Sequence, residues 1–403
     1  MDEKIVVYGA PWCPDCKRTK RFLGEQRISF GWIDIDEDPE QGELVARLNE
    51  GKRIIPTVVF PDGSFLAEPT NAELADKLGL RVRASRRYFD LVIVGGGPAG
   101  LTSAIYAARE GINALVIEAS ALGGQAGVTQ RIDNYPGFPE GIEGAELAGR
   151  IIAQAHRYGV EMLSGVAVGS IRRLPDCLEI TTGTGDLYLA RAVIVATGSS
   201  YRRLGVPGEE DLIGAGIHFC ATCDGPFYRG AEELMVIGGG NSGLEEGLFL
   251  AEFAERIRIL EFAPELAASA LLQEKVRSHP KFEIHTGVRI TSFDKRDARL
   301  AAVRATELAT GEELVFHPEA AFVFIGLDPN TDFLEGSIDL DPGRFIATGP
   351  TLQTSIPGVF AAGDVRRGST KQLASAVGEG VTALLMVRQY LQQLEEVPVQ
   401  GVG

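Results

Sequence analysis

Cysteine is scarce in this chain, five among 403 residues, too few for a disulfide-held scaffold. Basic charge is in deficit as well: 39 Lys and Arg stand against 55 Asp and Glu, a net charge of −16. That balance argues against nucleic acid or an anionic membrane surface as a standing partner. Long apolar runs are missing too. None approaches the ~20 residues of a membrane span, so no membrane association is expected. The amino terminus, MDEKIVVYG, is acidic and enters a strand pattern at once. Without a secretory apolar region, the cytoplasm is the expected compartment. An apolar fraction of 45% and a charged fraction of 23% exclude wholesale disorder.

Glycine is in excess, 49 residues, about 12% against a usual ~7%. The glycines follow no collagen period, which suggests many tight turns where backbone approaches a ligand. Four of the five cysteines fall in two pairs of equal spacing, Cys13–Cys16 and Cys220–Cys223, with Cys177 alone. In a reducing compartment such pairs are metal ligands or redox-active dithiols. Zinc ribbons place their pairs about 15–20 residues apart, whereas 203 residues separate these. The histidines (His156, His218, His279, His285 and His317) show no ligand spacing either. No metal site is expected, and Cys177 reads as an idle thiol.

Residues 1–80 carry a βαβ–ββα pattern. Strands are expected at 4–8, 30–35 and 57–60, with a helix over 14–26 between the first two. Pro61-Asp62-Gly63 turns into a strand over 64–66, and a helix capped by Asn71 runs over 71–78. Residues 81–87 then hold four arginines and no acid, between segments of net −5 and −15. This shift marks a tether, whose length when extended is about 24 Å.

From residue 88 the chain repeats itself. Residues 90–120 match 233–263 without a gap, at an offset of 143. Gly95, Gly97 and Gly100 fall on Gly238, Gly240 and Gly243, and Glu118 falls on Glu261. Each copy reads strand, glycine turn, helix, strand, and then an acid 18 residues after the third glycine. That context is what a dinucleotide-binding fingerprint requires. The first glycine makes the turn, the second admits the pyrophosphate, the third lets helix and strand close, and the acid accepts from ribose. Two nucleotide units follow.

A carboxylate at Glu261 fits a ribose diol and repels a 2′-phosphate, and residues 261–268 contain no base. NADH is therefore expected in preference to NADPH, with Arg256 and Arg258 as the basic residues that could fold back. Strand-end glycines at Gly198 and Gly363, the latter followed by Asp364, suggest FAD around the first copy, since its length needs contacts from distant segments. Cys220-Ala221-Thr222-Cys223-Asp224 precedes the second glycine turn. Thiols at this spacing can close a disulfide across one helical turn, and Asp224 is placed to move a proton. Cys13 opens a helix of its own, where Asp15 is expected to oppose its activation.

By these residues, 88–396 resemble the low-molecular-weight thioredoxin reductase family. The matching segments are GGGPAG, GGQ at 123–125, DNYPG at 133–137, VATG, CATCDG, GGGNSG, and AAGDV with KQ at 371–372. Within it, GGGNSG followed by LEFAPEL is similar to the flavoprotein subunit of alkyl hydroperoxide reductase. NADPH-dependent members carry a basic His-Arg-Arg segment where this chain has Glu261-Phe262-Ala263. Residues 1–80 resemble a glutaredoxin or mycoredoxin through Trp12-Cys13-Pro14-Asp15-Cys16 and Ile55-Pro56-Thr57. The resemblance implies a cis Pro56, a flavin-facing Cys223, an exchanging Cys220, and Asp224 as the acid. It also implies flavin contacts from Gln125, Asn134, Asp364 and Gln372, a homodimer, and a rotating nicotinamide domain.

The fold expected is α/β, a thioredoxin-like domain followed by two nested Rossmann-like domains. Its limits are 1–80, the linker 81–87, a discontinuous FAD domain over 88–202 and 328–396, and an NAD(P)H domain with the dithiol over 203–327. The leading function is a disulfide reductase. It passes electrons from NADH through FAD and Cys220–Cys223 to Cys13–Cys16, and then to a peroxiredoxin, thioredoxin or other disulfide client. The alternatives are an NADPH-driven thioredoxin or glutaredoxin-system reductase, a flavin oxidase that makes disulfides with oxygen, and a redox sensor without turnover.

Overall fold

The computed structural model of the chain describes residues 4–26, 28–129, 132, 134–297 and 299–396. Asp133 of the DNYPG segment lies outside the described residues. Two compact units emerge, one of Met1–Thr129, Ile142–Ser199 and Pro329–Gly403, the other of Gln130–Gly141 and Ser200–Asp328.

The first unit begins with β1 (Ile5–Gly9), α1 (Pro14–Glu25), β2 (Phe30–Asp34), α2 (Pro39–Leu48), β3 (Thr57–Val59), β4 (Phe65–Ala67) and α3 (Asn71–Lys77). The sheet order is β2-β1-β3-β4, with β1 parallel to β2 and antiparallel to β3. Val7, Phe22, Leu23, Val58 and Leu74 fill its core. Sequence periodicity misses α2, which Asp38 caps by accepting from the Gln41 N–H at 3.3 Å. The cap of α3 is Thr70 rather than Asn71. Thr70 Oγ1 accepts from the Glu73 N–H at 3.2 Å, and Glu73 accepts from the Thr70 N–H at 2.8 Å, a capping box that shifts the start by one residue.

The tether is held along its length. Arg81 pairs with Glu161 at 2.9 Å, the Ser85 N–H and hydroxyl donate to the same carboxylate, and the Ala84 N–H donates to the Tyr188 hydroxyl at 3.1 Å. Acidic residues across from an arginine-rich stretch explain why seven residues that could span about 24 Å lie down instead.

The same unit continues through β5 (Tyr88–Val94), α4 (Pro98–Arg109), β6 (Ala114–Glu118), α5 (Gly124–Val128), α6 (Gly144–Arg157), β7 (Glu161–Ser164), β8 (Val168–Arg173), β9 (Leu178–Thr182) and β10 (Leu187–Val195), after which β11 (Ser199–Tyr201) leads the chain into the second unit. The sheet order is β7-β6-β5-β10-β9-β8. Strands β5, β6, β7 and β10 run parallel, and the central β5, β6 and β10 bury the apolar runs LVIV, ALVI and AVIV, as strands covered on both faces must.

The second unit comprises α7 (Glu209–Leu212), β12 (Ile217–His218), α8 (Ala221–Asp224), β13 (Ala231–Ile237), α9 (Asn241–Leu250), β14 (Ala254–Glu261), α10 (Ala270–Ser278), β15 (Phe282–Thr286), β16 (Val288–Arg296), β17 (Arg299–Glu307), β18 (Glu313–Phe316), β19 (Ala320–Val323) and β20 (Leu327–Pro329). A parallel sheet of order β12-β19-β13-β14-β15 carries the helices, and β16-β17-β18 form a separate antiparallel sheet. The chain then returns to the first unit with β21 (Val359–Ala361), parallel to β10, and α11 (Leu373–Glu396). Among the described residues, no helix is long and apolar enough to cross a membrane.

Candidate active site

The two repeats fold alike. β5 leads into α4 and β13 into α9, each through its three glycines. Gly95 and Gly238 stand at φ of +110° and +117°, backbone that L side chains avoid. A Cβ on Gly95 would lie 2.3 Å from the Ala196 carbonyl oxygen, and one on Gly238 2.4 Å from that of Phe324. The third glycines are equally constrained: a Cβ on Gly100 or Gly243 would meet the carbonyl oxygen of Gly95 or Gly238 at 1.9 and 2.0 Å.

The second glycines differ. Gly97 and Gly240 have ordinary φ values of −77° and −81°, and no side chain caps either helix. A Cβ on Gly240 would meet nothing within 4 Å, and one on Gly97 only the Gly124 Cα at 3.9 Å. Neither torsion nor packing within the protein demands glycine there. What it leaves open is the approach to an uncapped helix N-terminus, which an anionic pyrophosphate fits. FAD and a pyridine dinucleotide therefore suit these turns. A Gly97→Val variant is expected to hold at least about tenfold less FAD per chain, read from flavin absorbance against protein at an unchanged circular dichroism spectrum.

The acids close the motif. Glu118 accepts from the N–H groups of Gly96 at 2.6 Å and Ser120 at 2.8 Å. Glu261 accepts from those of Gly239 at 2.5 Å and Ala263 at 2.7 Å. Burial pushes the Glu118 carboxyl upward, and those two N–H donors oppose it. Gly96 and Gly239 fall outside the G-x-G-x-x-G pattern, although a third consecutive glycine signals them in the sequence. A Cβ on either would lie 2.5 Å from a leucine methyl, Leu122 or Leu266.

Four predicted turns converge on α4. The Gly95 turn abuts Ala196, two residues before Gly198. The Gly123 N–H donates to the Gly96 carbonyl at 2.8 Å, bringing Gln125 alongside. A Cβ on Gly363 would sit 3.1 Å from the Ala99 Cβ, so Asp364 lies at the same end. Gln372 immediately precedes α11, whose Ala376 N–H donates to its carbonyl. Burial raises the Asp364 carboxyl, with Lys371 opposing it. Lys371 itself donates to the Asp364 carbonyl at 2.6 Å. Asn134 falls in the second unit.

In that second unit, Cys220 and Cys223 form a disulfide with their Cα atoms 5.3 Å apart. Cys220 is the N-cap of α8, and Asp224 ends that helix. Asp224 Oδ2 lies 3.4 Å from His218 Nδ1. His218 escaped the sequence reading, which sought only metal spacing among histidines.

Cys13 caps α1, its Sγ accepting the Cys16 N–H at 3.2 Å. Cys16 is fully buried, and burial, then its hydrogen bond with Cys13, pushes its thiol up to about 12. The opposition expected from Asp15 is tempered, because Arg18 pairs with that carboxylate and also donates to the Pro69 carbonyl at 2.8 Å. The Ile55–Pro56 bond is cis, and the Ile55 carbonyl oxygen lies 3.9 Å from Cys13 Sγ. Trp12 stands 68% exposed beside the dithiol, tied to Asp36 at 2.9 Å. Cys177 is half-buried and unbonded to any other cysteine.

Two nucleotide turns, a disulfide in a helical C-x-x-C and a second dithiol in a thioredoxin fold define a nucleotide-linked disulfide oxidoreductase with a fused redox module. The chain belongs to the pyridine nucleotide-disulphide oxidoreductase family, whose model matches residues 89–380, and the glutaredoxin model matches residues 5–66. It is 35% identical over 316 residues to the thioredoxin reductase of Bacillus subtilis (strain 168), covering 78% of this chain and 98% of that protein. It is also 35% identical over 396 residues to an alkyl hydroperoxide reductase subunit of Staphylococcus aureus (strain Mu50), covering 96% of this chain and 76% of that protein. The solved thioredoxin reductase of Streptococcus pyogenes MGAS5005 superposes with a TM-score of 0.72 at 35% identity, over 77% of this chain and all of that one. The protein is thus an NAD(P)H-dependent disulfide oxidoreductase.

Proposed function

We propose that the chain carries electrons from NADH through FAD and Cys220–Cys223 to the fused Cys13–Cys16 dithiol, and from there to a disulfide-bearing client such as a peroxiredoxin or thioredoxin. FAD, when bound, accepts hydride from the nicotinamide and delivers the electron pair to sulfur. The rest falls to the protein. Reduced Cys220 attacks Cys13 of the Cys13–Cys16 disulfide, and Cys16 leaves and takes a proton. Cys223 then attacks the mixed disulfide, restoring Cys220–Cys223 and releasing Cys13 as the thiolate that reduces the client. Asp224 moves the proton at Cys220. The joining of both dithiols in one chain carries this reading, because it makes the exchange intramolecular.

The site residues proposed are Gly95, Gly97, Gly100, Glu118, Gln125, Asn134, Gly198, Asp364 and Gln372 for FAD, and Gly238, Gly240, Gly243 and Glu261 for the pyridine nucleotide. The domain limits proposed are 1–80, 88–202 with 328–396, and 203–327. A cytoplasmic homodimer is proposed on the resemblance. Two observations support NADH: the Glu261 carboxylate is fixed by two N–H donors, and Arg256 and Arg258 are occupied by Glu232, Glu233 and Glu283. One favours NADPH instead, the Arg289 guanidinium 5.4 Å above the exposed Phe262 ring. The test is anaerobic addition of each reduced nucleotide to the purified protein with a panel of disulfide acceptors. NADH is expected to bleach the flavin and be consumed steadily with a protein disulfide. Failure of both nucleotides to bleach it refutes the reading.

A further inference from the structure

His218 has no part in the relay as described, yet its buried ring faces the proton-moving acid. It ends β12, whose pairing to β19 sets His218 opposite Phe322. Its ring is 7% exposed and lies between Phe322, 5.2 Å away, and Tyr228, 5.4 Å away edge-on. The two ring nitrogens face different partners: Nε2 is 2.7 Å from the Tyr228 hydroxyl, and Nδ1 is 3.4 Å from Asp224 Oδ2. A neutral imidazole has one donor and one acceptor nitrogen. A bare Nδ1 lone pair against a carboxylate would repel it, so the stable arrangement is Tyr228 O–H donating to Nε2 and the Nδ1–H turned toward Asp224, at a separation of 3.4 Å that is longer than a normal hydrogen bond. Burial pushes the Tyr228 phenol up to about 12, the Asp224 charge adding to the effect, so the hydroxyl keeps the proton that this arrangement needs.

We propose that His218 is a positioning residue that fixes the Asp224 carboxylate for proton exchange with Cys220. This rests on the role given to Asp224 above. Asp224 stands four residues after Cys220, its N–H donating to the Cys220 carbonyl at 3.1 Å, a spacing that places both side chains on one helix face. The Asp224 side chain is 25% exposed, so without its partner the carboxylate is free to turn to water. Other charged groups face this cluster. Arg299 and Glu319 act on Tyr228. Glu246, on α9, accepts from the Ala221 N–H and leaves its buried Oε2 without a hydrogen bond.

The test needs no flavin turnover. The full chain is reduced with dithiothreitol, desalted and treated with iodoacetamide at pH 7, and Cys220 alkylation is timed by peptide mass, with Cys177 as an internal standard. Asp224 takes the thiol proton, the sulfur electron pair forms the S–C bond, and iodide leaves. Losing a polar contact worth as much as one hydrogen bond corresponds to a change of about tenfold. His218→Phe is expected to slow Cys220 about tenfold. His218→Asn, whose amide N–H stands at the Nδ1 position, is expected to restore the rate to within about threefold of the parent. His218→Gln, which reaches only the Nε2 position, is expected to remain slow. The double variant H218F/D224N is expected to be no slower than D224N. If H218F fails to fold, the Asn and Gln pair decides. Equal rates for Asn and Gln, or additive losses in the double variant, overturn the proposal. D224N alkylated at the parent rate, or a loss confined to Glu246→Gln, refutes the assignment of Asp224 itself.

Discussion

Cys13→Ser is expected to lower reduction of a protein disulfide by at least about a hundredfold, while reduction of a small dye directly from the flavin is retained. Cys16 cannot take over. It is fully buried, and burial and the neighbouring Cys13 push its thiol up to about 12, which disfavours the nucleophilic thiolate. Because the shift is upward, the neutral thiol is the favoured form near pH 7. Cys13 is buried as well, at 5% exposure, but it sits at the helix N-terminus with its sulfur accepting the Cys16 N–H, which is where a nucleophilic sulfur belongs. Cys16→Ser should therefore leave the first attack intact and trap a mixed disulfide between Cys13 and the client, visible as a reductant-sensitive mass increase. Full client turnover by Cys13→Ser would mean that Cys220 serves clients directly and the fused module is a bystander.

The nucleotide turns were readable because their demands are local. A glycine whose Cβ would strike the carbonyl five residues back, as at Gly100 and Gly243, is forced by the turn itself, so spacing alone reports it. The strands were readable for a related reason: β5, β10 and β13 end in the fully buried apolar runs LVIV, AVIV and LMVI. Helix α2 escaped because its core contribution is small, Gly42 and Val45 alone being buried. The start of α3 slipped by one because Thr70 and Asn71 are both good caps, and only the reciprocal bond from Glu73 decides between them. His218 was invisible because its partners, Asp224 and Tyr228, surround it only after β12 pairs with β19. Arg289 was missed likewise. It is remote in sequence from Phe262, and β16 brings it over that ring.

The Glu261 region yields the sharpest test of cofactor choice. Glu261→Arg is expected to move the ratio of kcat/KM for NADH over NADPH by about a hundredfold toward NADPH, since each tenfold corresponds to ~1.4 kcal/mol. Two effects add: removal of a carboxylate that repels a 2′-phosphate, and gain of a guanidinium that can bind it in a fork. The cost is structural, because the N–H groups of Gly239 and Ala263 lose the oxygens they now donate to. Some loss with both nucleotides should accompany the shift. Glu261→Gln separates the terms. Its amide keeps one acceptor oxygen and loses the charge, so it should move preference by about tenfold and no further. Arg289→Ala then distinguishes the two readings of that residue. If Arg289 only stacks on Phe262, both nucleotides weaken equally and the ratio holds. If it already holds a 2′-phosphate, NADPH alone weakens, and the parent protein prefers NADPH despite Glu261. Stopped-flow reduction of the flavin by each nucleotide, across the three variants, reads all of these ratios directly.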